Sequence, residues 1–265
     1  MSPTPIVFSH ANGFPAGTYG VLFEAWRRAG FRVHAIERIG HDPDFPVTSN
    51  WPHLRNELVG FIEREAGGPA YLVGHSLGGL LSVLAASRRP DLARGLVMID
   101  SPLITGWRAH GLQVFKATGL VRRVSPGKVS QRRRFEWPSR EAVHDHFAAK
   151  HAFARWDPRV LRDYVAAGFE ERGGRTRLAF EREIETRIYN TLPHHFATVL
   201  RRQPLKCPAA FIAGTQSVEM RQGGVEASRR LAKERFAWME GTHLFPMERP
   251  DETAAEVLRL IGTMD

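Results

Sequence analysis

The stretch Gly74-His75-Ser76-Leu77-Gly78, followed by Gly79, decides the fold of this chain. It matches the pattern G-x-S-x-G, which is typical of a serine on a tight turn between a strand and a helix. Residues 70–73 form an apolar run of strand length before it, and residues 80–86 are apolar enough for a buried helix after it. The pattern therefore predicts a strained serine whose hydroxyl emerges at the carboxyl edge of a sheet.

The composition indicates one substantial core and no disulfide framework. The chain has 265 residues, of which 43% are hydrophobic and one, Cys207, is a cysteine. We expect Cys207 to be an inert core residue of a protein in a reducing compartment. The sequence contains no apolar run of membrane-spanning length and no signal peptide, which predicts a cytoplasmic location and no membrane partner.

Apolar runs that alternate with amphipathic segments predict a parallel sheet. The expected strands lie at residues 6–10, 31–36, 70–73, 95–100, 209–213 and 235–239. After Pro102 this alternation stops for about a hundred residues, which are expected to be mostly helical, and then it resumes. The predicted fold class is α/β, with a mostly parallel sheet of about six strands, flanking helices and an inserted, mainly helical segment.

Local signals predict several boundaries more closely. Ser49 or Asn50 can cap a helix that has Pro52 in its first turn. Residues 219–233 are expected to form one helix, and Gly173-Gly174 is expected to be a turn.

The net charge of +9 is concentrated in the inserted segment. Residues 103–204 contain 20 Lys and Arg against 10 Asp and Glu, whereas the rest of the chain contains 17 against 18. No recognised nucleic-acid-binding motif accompanies these charges, so we expect no nucleic-acid partner. Two interpretations stay open. One is a cationic roof that attracts anionic substrates; the other is a solvated surface whose arginines pair with Glu170, Glu171, Glu181 and Glu183.

The chain resembles an α/β-hydrolase of the esterase and lipase type in four stretches of its sequence. The last three of them contain a serine, an acid and a histidine in the order that this family shows. These stretches are His10-Ala11-Asn12-Gly13-Phe14-Pro15, the Ser76 motif, Val97-Met98-Ile99-Asp100 and Gly241-Thr242-His243. The resemblance covers nearly the whole length of the chain. It implies a hydrolase core at residues 1–102 and 205–265, with an inserted helical cap at residues 103–204.

The resemblance makes Ser76 the expected nucleophile and His243 the expected general base. A serine hydroxyl attacks poorly unless a base removes its proton, and His243 follows the last strand at the carboxyl edge of the sheet. Among the other histidines, His10 is expected to pack beneath the first loop. His75, the variable residue of the motif, is expected to line the pocket.

Two carboxylates compete for the role of the triad acid. Members of the family usually place the acid after the strand that follows the cap, but Ser217 occupies that position here and Glu219 is the nearest carboxylate. Asp100, at the end of the strand after the nucleophile helix, matches the position of the acid in some lipase-like members. We favour Asp100 over Glu219, and the true acid would hold the tautomer of His243 and stabilise its imidazolium.

The resemblance also implies an oxyanion hole made of two backbone N–H groups, those of Phe14 and Leu77. Gly13 would let the first loop fold close against the site. We expect no cofactor and no metal. The pair His144 and His146 has the spacing of metal ligands, but the sequence offers no clear set of companion ligands.

These features predict a cofactor-independent serine hydrolase that cleaves a carboxylic ester or thioester through an acyl-enzyme on Ser76. Carbon–carbon bond hydrolysis and acyl transfer use the same triad and stay open as alternatives. A non-catalytic binding protein on the same fold is the alternative from a different class. The expected partner is a small-molecule ester or thioester, and an anionic one if the inserted segment forms a cationic roof. The sequence gives no signal for the acyl group, the alcohol or the oligomeric state.

Overall fold

A six-stranded parallel sheet forms the centre of the computed structural model, which describes residues 3–121 and 127–264. The described strands are β1 (Pro5–Ser9), β2 (Arg32–Ala35), β3 (Ala70–His75), β4 (Ala93–Ile99), β5 (Glu136–Trp137), β6 (Phe169–Arg172), β7 (Arg175–Leu178), β8 (Ala209–Gly214) and β9 (Phe236–Met239). The central sheet has the order β2-β1-β3-β4-β8-β9, and every neighbouring pair in it is parallel. The predicted α/β fold class is confirmed.

Helices cover both faces of this sheet and so bury its central strands. Every residue of β1 and β3 is buried. Successive side chains of a strand point to opposite faces. Tyr71 and Val73 of β3 accordingly belong to one apolar core and Leu72 belongs to the other. Because all six strands run the same way, the loops after their carboxyl ends meet at one edge of the sheet.

The helices divide into those that flank the sheet and those inserted between β4 and β8. The flanking helices are Gly20–Arg28, Pro52–Glu65, Leu77–Arg88, Val218–Gly223, Glu226–Ala232, Phe245–Glu248 and Pro250–Ile261. The inserted helices are Gly106–Ala117, Gly127–Arg132, Arg140–Ala148, Pro158–Ala167, Arg182–Asn190 and Phe196–Arg202. Within residues 3–121 and 127–264, no helix combines the length and the apolar character needed to cross a bilayer.

The inserted segment contains a small antiparallel sheet that the sequence did not predict. Its strands have the order β5-β7-β6. The turn predicted at Gly173-Gly174 joins β6 to β7, and both glycines have a positive φ, 58° and 73°, as a two-residue hairpin turn requires. The strands escaped prediction because they are two to four residues long and mostly charged.

Two helix boundaries differ from the prediction. No side chain caps the helix Pro52–Glu65, because the side-chain oxygen of Asn50 accepts hydrogen bonds from Lys116 and from the backbone N–H of His194 instead. The single helix predicted at residues 219–233 is interrupted at Gly224, whose φ of 84° lies outside the helical region.

The division into a core (1–102 and 205–265) and a cap (103–204) stays a proposal. The structure supports it in that the inserted helices and the small sheet all lie between β4 and β8 in the chain. Residues 1–2, 122–126 and 265 of these ranges lie outside the described residues.

Candidate active site

The turn between β3 and the helix Leu77–Arg88 holds Ser76 in a strained conformation. Ser76 has φ 54° and ψ −115°, a region that residues with a side chain rarely occupy. The turn is so tight that a Cβ on Gly74 would overlap the backbone of Gly78, and a Cβ on Gly78 would overlap the carbonyl of Ser9. The strand, strained serine and helix therefore form as the motif predicts.

Three side chains from different loops meet at the carboxyl edge of the sheet. Nε2 of His243 lies 3.0 Å from Oγ of Ser76, and Nδ1 of His243 lies 2.6 Å from Oδ2 of Asp100. Ser76 follows β3, Asp100 follows β4, and His243 lies in the loop after β9. This is the geometry in which a base can remove the serine proton while an acid orients the base.

The two candidate acids differ in their contact with His243. Asp100 is fully buried and accepts hydrogen bonds from the backbone N–H of Gly214 at 2.7 Å and from Oγ of Ser217 at 2.5 Å. Oε2 of Glu219 lies 3.9 Å from Nδ1 of His243, beyond hydrogen-bond distance, and its side chain is 46% exposed. The contacts therefore favour Asp100, and Ser217, at the usual position of the acid, bonds to Asp100 and has no direct hydrogen bond to His243 among the described contacts.

The charge state of His243 depends on these carboxylates. Burial by itself would lower the pKa of His243, but the hydrogen bond and the negative charge of Asp100, with a further contribution from Glu219, raise it above 6.5. A base with a raised pKa accepts the serine proton more readily but needs a higher pH to be neutral in the free enzyme.

The two backbone N–H groups predicted to form the oxyanion hole differ in whether they already form a hydrogen bond. Leu77 is the first residue of its helix, so its N–H has no partner within that helix. The N–H of Phe14 is already used, because it donates to the carbonyl oxygen of Ala11 at 3.2 Å and closes a turn in which Gly13 has φ 82°. The choice of Phe14 therefore differs from what the structure offers.

Asn12 presents the alternative donor in this loop. Its backbone N–H forms no hydrogen bond with the described residues. Ser9 pairs with Gly74 across the sheet, so the residues just after Ser9 run alongside Ser76. The N–H of Ala11 is taken by the hydroxyl of Tyr19 at 3.1 Å, which leaves Asn12 as the first free donor along the loop.

His10 and His75, the two other histidines to which the sequence analysis gives a place, are both buried. His10 lies beneath the first loop as expected, with its Nδ1 donating to Ala11 at 2.8 Å and its Nε2 accepting from Ile39 at 2.9 Å. His75 is 0% exposed and does not line a pocket, contrary to the prediction. Its ring lies between Tyr19 and the backbone of His243.

The cap reaches the first loop through Glu185, a residue that the sequence did not single out. Glu185 is 5% exposed, and its backbone oxygen accepts a hydrogen bond from the side chain of Asn12 at 3.0 Å. Its Oε1 lies 2.9 Å from the position that a Cβ on Gly13 would take. Arg133 forms an ion pair with this carboxylate at 2.7 Å. No local pattern could have identified Glu185, because the contact joins distant parts of the chain.

Most described ion pairs of the cap arginines lie on the surface. Among these pairs are Arg172 with Glu170, Arg140 with Glu171, Arg175 and Arg177 with Glu136, and Arg159 with Asp157 and Asp251. The pairs of Glu170 and Glu171 agree with the interpretation of a solvated surface, whereas Glu181 and Glu183 form no ion pair with the described residues.

One group of potential metal ligands occurs within the described residues, and it consists of Asp100, Glu219 and His243. Within this group Nδ1 of His243 is already hydrogen-bonded to Asp100, so we interpret the group as the hydrogen-bonded surroundings of His243 and not as a metal site. His144 and His146 belong to no such group within residues 3–121 and 127–264.

Comparisons with curated proteins find lipases and other hydrolases. The chain is 26% identical to the sn-1-specific diacylglycerol lipase of Mus musculus over 236 residues, which cover 85% of this chain and 70% of that protein. It is 32% identical to the monoglyceride lipase of Rattus norvegicus over 111 residues, which cover 39% of this chain. The second match spans 36% of the monoglyceride lipase, well under half of its length.

Solved structures and a family model give the fold and the family. The crystal structure of E-2-(acetamidomethylene)succinate hydrolase superposes with a TM-score of 0.75 at 22% identity, covering 98% of this chain and 91% of that one. The thioesterase domain from the curacin biosynthetic pathway gives 0.75 at 17% identity, covering 97% and 91%. The model of the alpha/beta hydrolase family matches residues 6–256. With the six-stranded sheet, this match shows that the chain belongs to the alpha/beta hydrolase family.

Proposed function

We propose that this protein hydrolyses a carboxylic ester or thioester through an acyl-enzyme formed on Ser76. The observation that carries the proposal is the unbroken contact from Ser76 to His243 at 3.0 Å and from His243 to Asp100 at 2.6 Å. The family match and the relatives named as lipases and hydrolases support an ester-hydrolysing enzyme.

In the proposed first step, Oγ of Ser76 attacks the carbonyl carbon while Nε2 of His243 takes the serine proton. Asp100 stays ionised and stabilises the resulting imidazolium. The backbone N–H groups of Leu77 and Asn12 bind the oxyanion, each contributing about 10²–10³ in rate. His243 then gives its proton to the leaving alcohol or thiol, and the carbonyl re-forms as the acyl-enzyme.

In the second step, water replaces the leaving group. His243 removes a proton from a water molecule, which attacks the acyl-enzyme, and the tetrahedral intermediate collapses to release the carboxylic acid and the Ser76 hydroxyl. Every proton moves through His243, so this proposal uses no cofactor. The same triad would serve carbon–carbon bond hydrolysis if the leaving group were a carbanion, or acyl transfer if another acceptor replaced water.

Labelling with a fluorophosphonate probe tests the proposal directly. The wild type should be labelled and should hydrolyse p-nitrophenyl esters, and Ser76→Ala should lose both properties without unfolding. Ser87→Ala is the matched control, because Ser87 is buried at the end of the same helix and its Oγ forms no hydrogen bond with the described residues. A wild type that is neither labelled nor active would favour the binding protein on the same fold.

The substrate class needs a wider screen. p-Nitrophenyl esters of increasing chain length and acyl-CoA thioesters would separate ester from thioester preference. The anionic preference proposed from the charge of the cap has limited support, because surface carboxylates pair with Arg140, Arg172, Arg175 and Arg177. The cytoplasmic location also stays a prediction.

A further inference from the structure

Three hydrogen bonds, here called the bridge, join the loop after β1 to the loop after β9; the first two are buried and the third is partly buried. The backbone N–H of Ala11 lies 3.1 Å from the hydroxyl of Tyr19, and that hydroxyl lies 2.8 Å from Nδ1 of His75. Nε2 of His75 lies 2.9 Å from the backbone oxygen of His243. Ala11, Tyr19 and His75 are at most 2% exposed, so water does not compete for the contacts between them.

The chemistry of the groups sets the direction of each hydrogen bond. A backbone oxygen can only accept, so the proton of His75 is on Nε2. Burial first, and then the neighbouring charge of His243, hold the pKa of His75 well below 6.5, so the ring is neutral and its Nδ1 accepts. Tyr19 therefore donates to His75 and accepts from Ala11. All three hydrogen bonds of the bridge point in the same direction, so each polarises and strengthens the next.

We propose that Tyr19 and His75 are positioning residues that fix the backbone of the oxyanion loop relative to the backbone of the general base. This inference rests on the proposed function. His75 is the sequence neighbour of Ser76, the proposed nucleophile. The bridge therefore connects the three segments that hold the nucleophile, the general base and the oxyanion donor. Ala11 precedes Asn12, the proposed oxyanion donor, and the carbonyl at the other end belongs to His243 itself.

The consequence for catalysis follows from the distances involved. The ring of His243 must keep 3.0 Å to Ser76 and 2.6 Å to Asp100, and its backbone oxygen is the point that His75 holds. Displacements of about 1 Å in such a constellation reduce rates by about a hundredfold. Loss of the bridge should therefore reduce kcat more than it changes KM, because it moves the reacting groups, while Tyr19 and His75 are themselves buried and do not contact substrate.

Tyr19→Phe removes one hydroxyl and keeps the ring that packs on Phe8. It leaves the N–H of Ala11 and Nδ1 of His75 without partners, and we expect kcat to fall about tenfold to a hundredfold with little change in KM. Tyr71→Phe is the matched control: Tyr71 is equally buried but lies near the start of β3, at the opposite end from Ser76. It should lower Tm and leave kcat unchanged.

Two substitutions of His75 separate the ends of the bridge. Gln can place an amide N–H near the position of Nε2 and keep the bond to His243, whereas Asn can place an oxygen near Nδ1 and keep only the bond from Tyr19. We expect His75→Gln to retain more activity than His75→Asn. The double variant Tyr19→Phe/His75→Asn should be no less active than the less active of the two single variants, because both substitutions interrupt the same bridge.

A measurement without substrate keeps this inference separate from the proposed function. The proton between Nδ1 of His243 and Asp100 can be followed by NMR, and its resonance should shift or broaden in Tyr19→Phe but not in Tyr71→Phe. If the wild type is not labelled by fluorophosphonate, the proposed function fails while the resonance still tests the bridge. An unchanged resonance, or an unchanged kcat in Tyr19→Phe of an active protein, overturns the inference and leaves a purely structural role.

Discussion

Nδ1 of His243 lies 2.6 Å from Oδ2 of Asp100, although Asp100 follows β4 and His243 follows β9, two strands that β8 separates in the sheet. The carboxylate is fully buried, and Gly214 and Ser217 donate to it as well. Three donors therefore fix its orientation. Under the proposed assignment of Asp100 as the acid, Ser217 does not replace the acid that resembling proteins usually carry near this position; its hydroxyl supports Asp100 instead.

Neutralising each candidate acid should give very different results. Asp100→Asn should lower kcat by about 10⁴, because the amide favours the wrong tautomer of His243. Glu219→Gln should lower kcat only a few-fold, since the carboxylate is 3.9 Å from Nδ1 and its side chain is 46% exposed. Steady-state kinetics on one p-nitrophenyl ester decides the matter. Equal and mild effects would mean that neither carboxylate is the acid.

The pH profile of kcat/KM should report His243. The base must be neutral in the free enzyme, so activity should fall as the pH drops through its pKa, which Asp100 and Glu219 raise above 6.5 against the effect of burial. Glu219→Gln removes one of the charges that raise this pKa, and the acidic limb should therefore move to lower pH. Glu226→Gln, an exposed substitution in the next helix, should leave the limb in place, and a shift there would argue against a local effect.

Gly13→Ala should damage the oxyanion loop in particular. The new Cβ would lie 2.9 Å from Oε1 of Glu185 and would require a φ of 82°, so the turn that presents Asn12 must move. We expect kcat to fall by about a hundredfold, as for the loss of one oxyanion donor. Gly30→Ala is the control, with a φ of 91° and no described atom within 4 Å of the added carbon. It should cost about 1 kcal/mol of stability with kcat unchanged; a similar kcat in both variants would contradict a role for this loop.

The charge of the cap should influence substrates only weakly. Matched neutral and anionic esters, compared at low and high ionic strength, should show a small change in the ratio of their kcat/KM values. The reason is that surface carboxylates pair with the described arginines of β6 and β7, and Arg133 pairs with the buried Glu185. A ratio of kcat/KM values that strongly favours the anionic ester at low salt and approaches one at high salt would support the interpretation of a cationic roof.

The features that depend on neighbouring residues could be predicted from the sequence. The glycines around Ser76 and the apolar runs on either side specify the strand, the strained turn and the helix, because these forces act within a few residues. The same holds for the parallel sheet, which follows from alternating strands and helices. Leu77 as a free donor follows from its place at the start of a helix.

Tertiary structure alone decided the features that depend on contacts between distant segments. Asp100 and Glu219 are both carboxylates near a strand end, and only the packing of two loops places one of them against His243. Phe14 is the oxyanion donor that the resemblance predicts, but the turn hydrogen bond to Ala11 uses its N–H. His75 is buried because Tyr19 and the His243 loop close over it. The physical reason is common to all three: each outcome depends on which polar groups find partners once the chain has packed, and a linear pattern does not contain those distances.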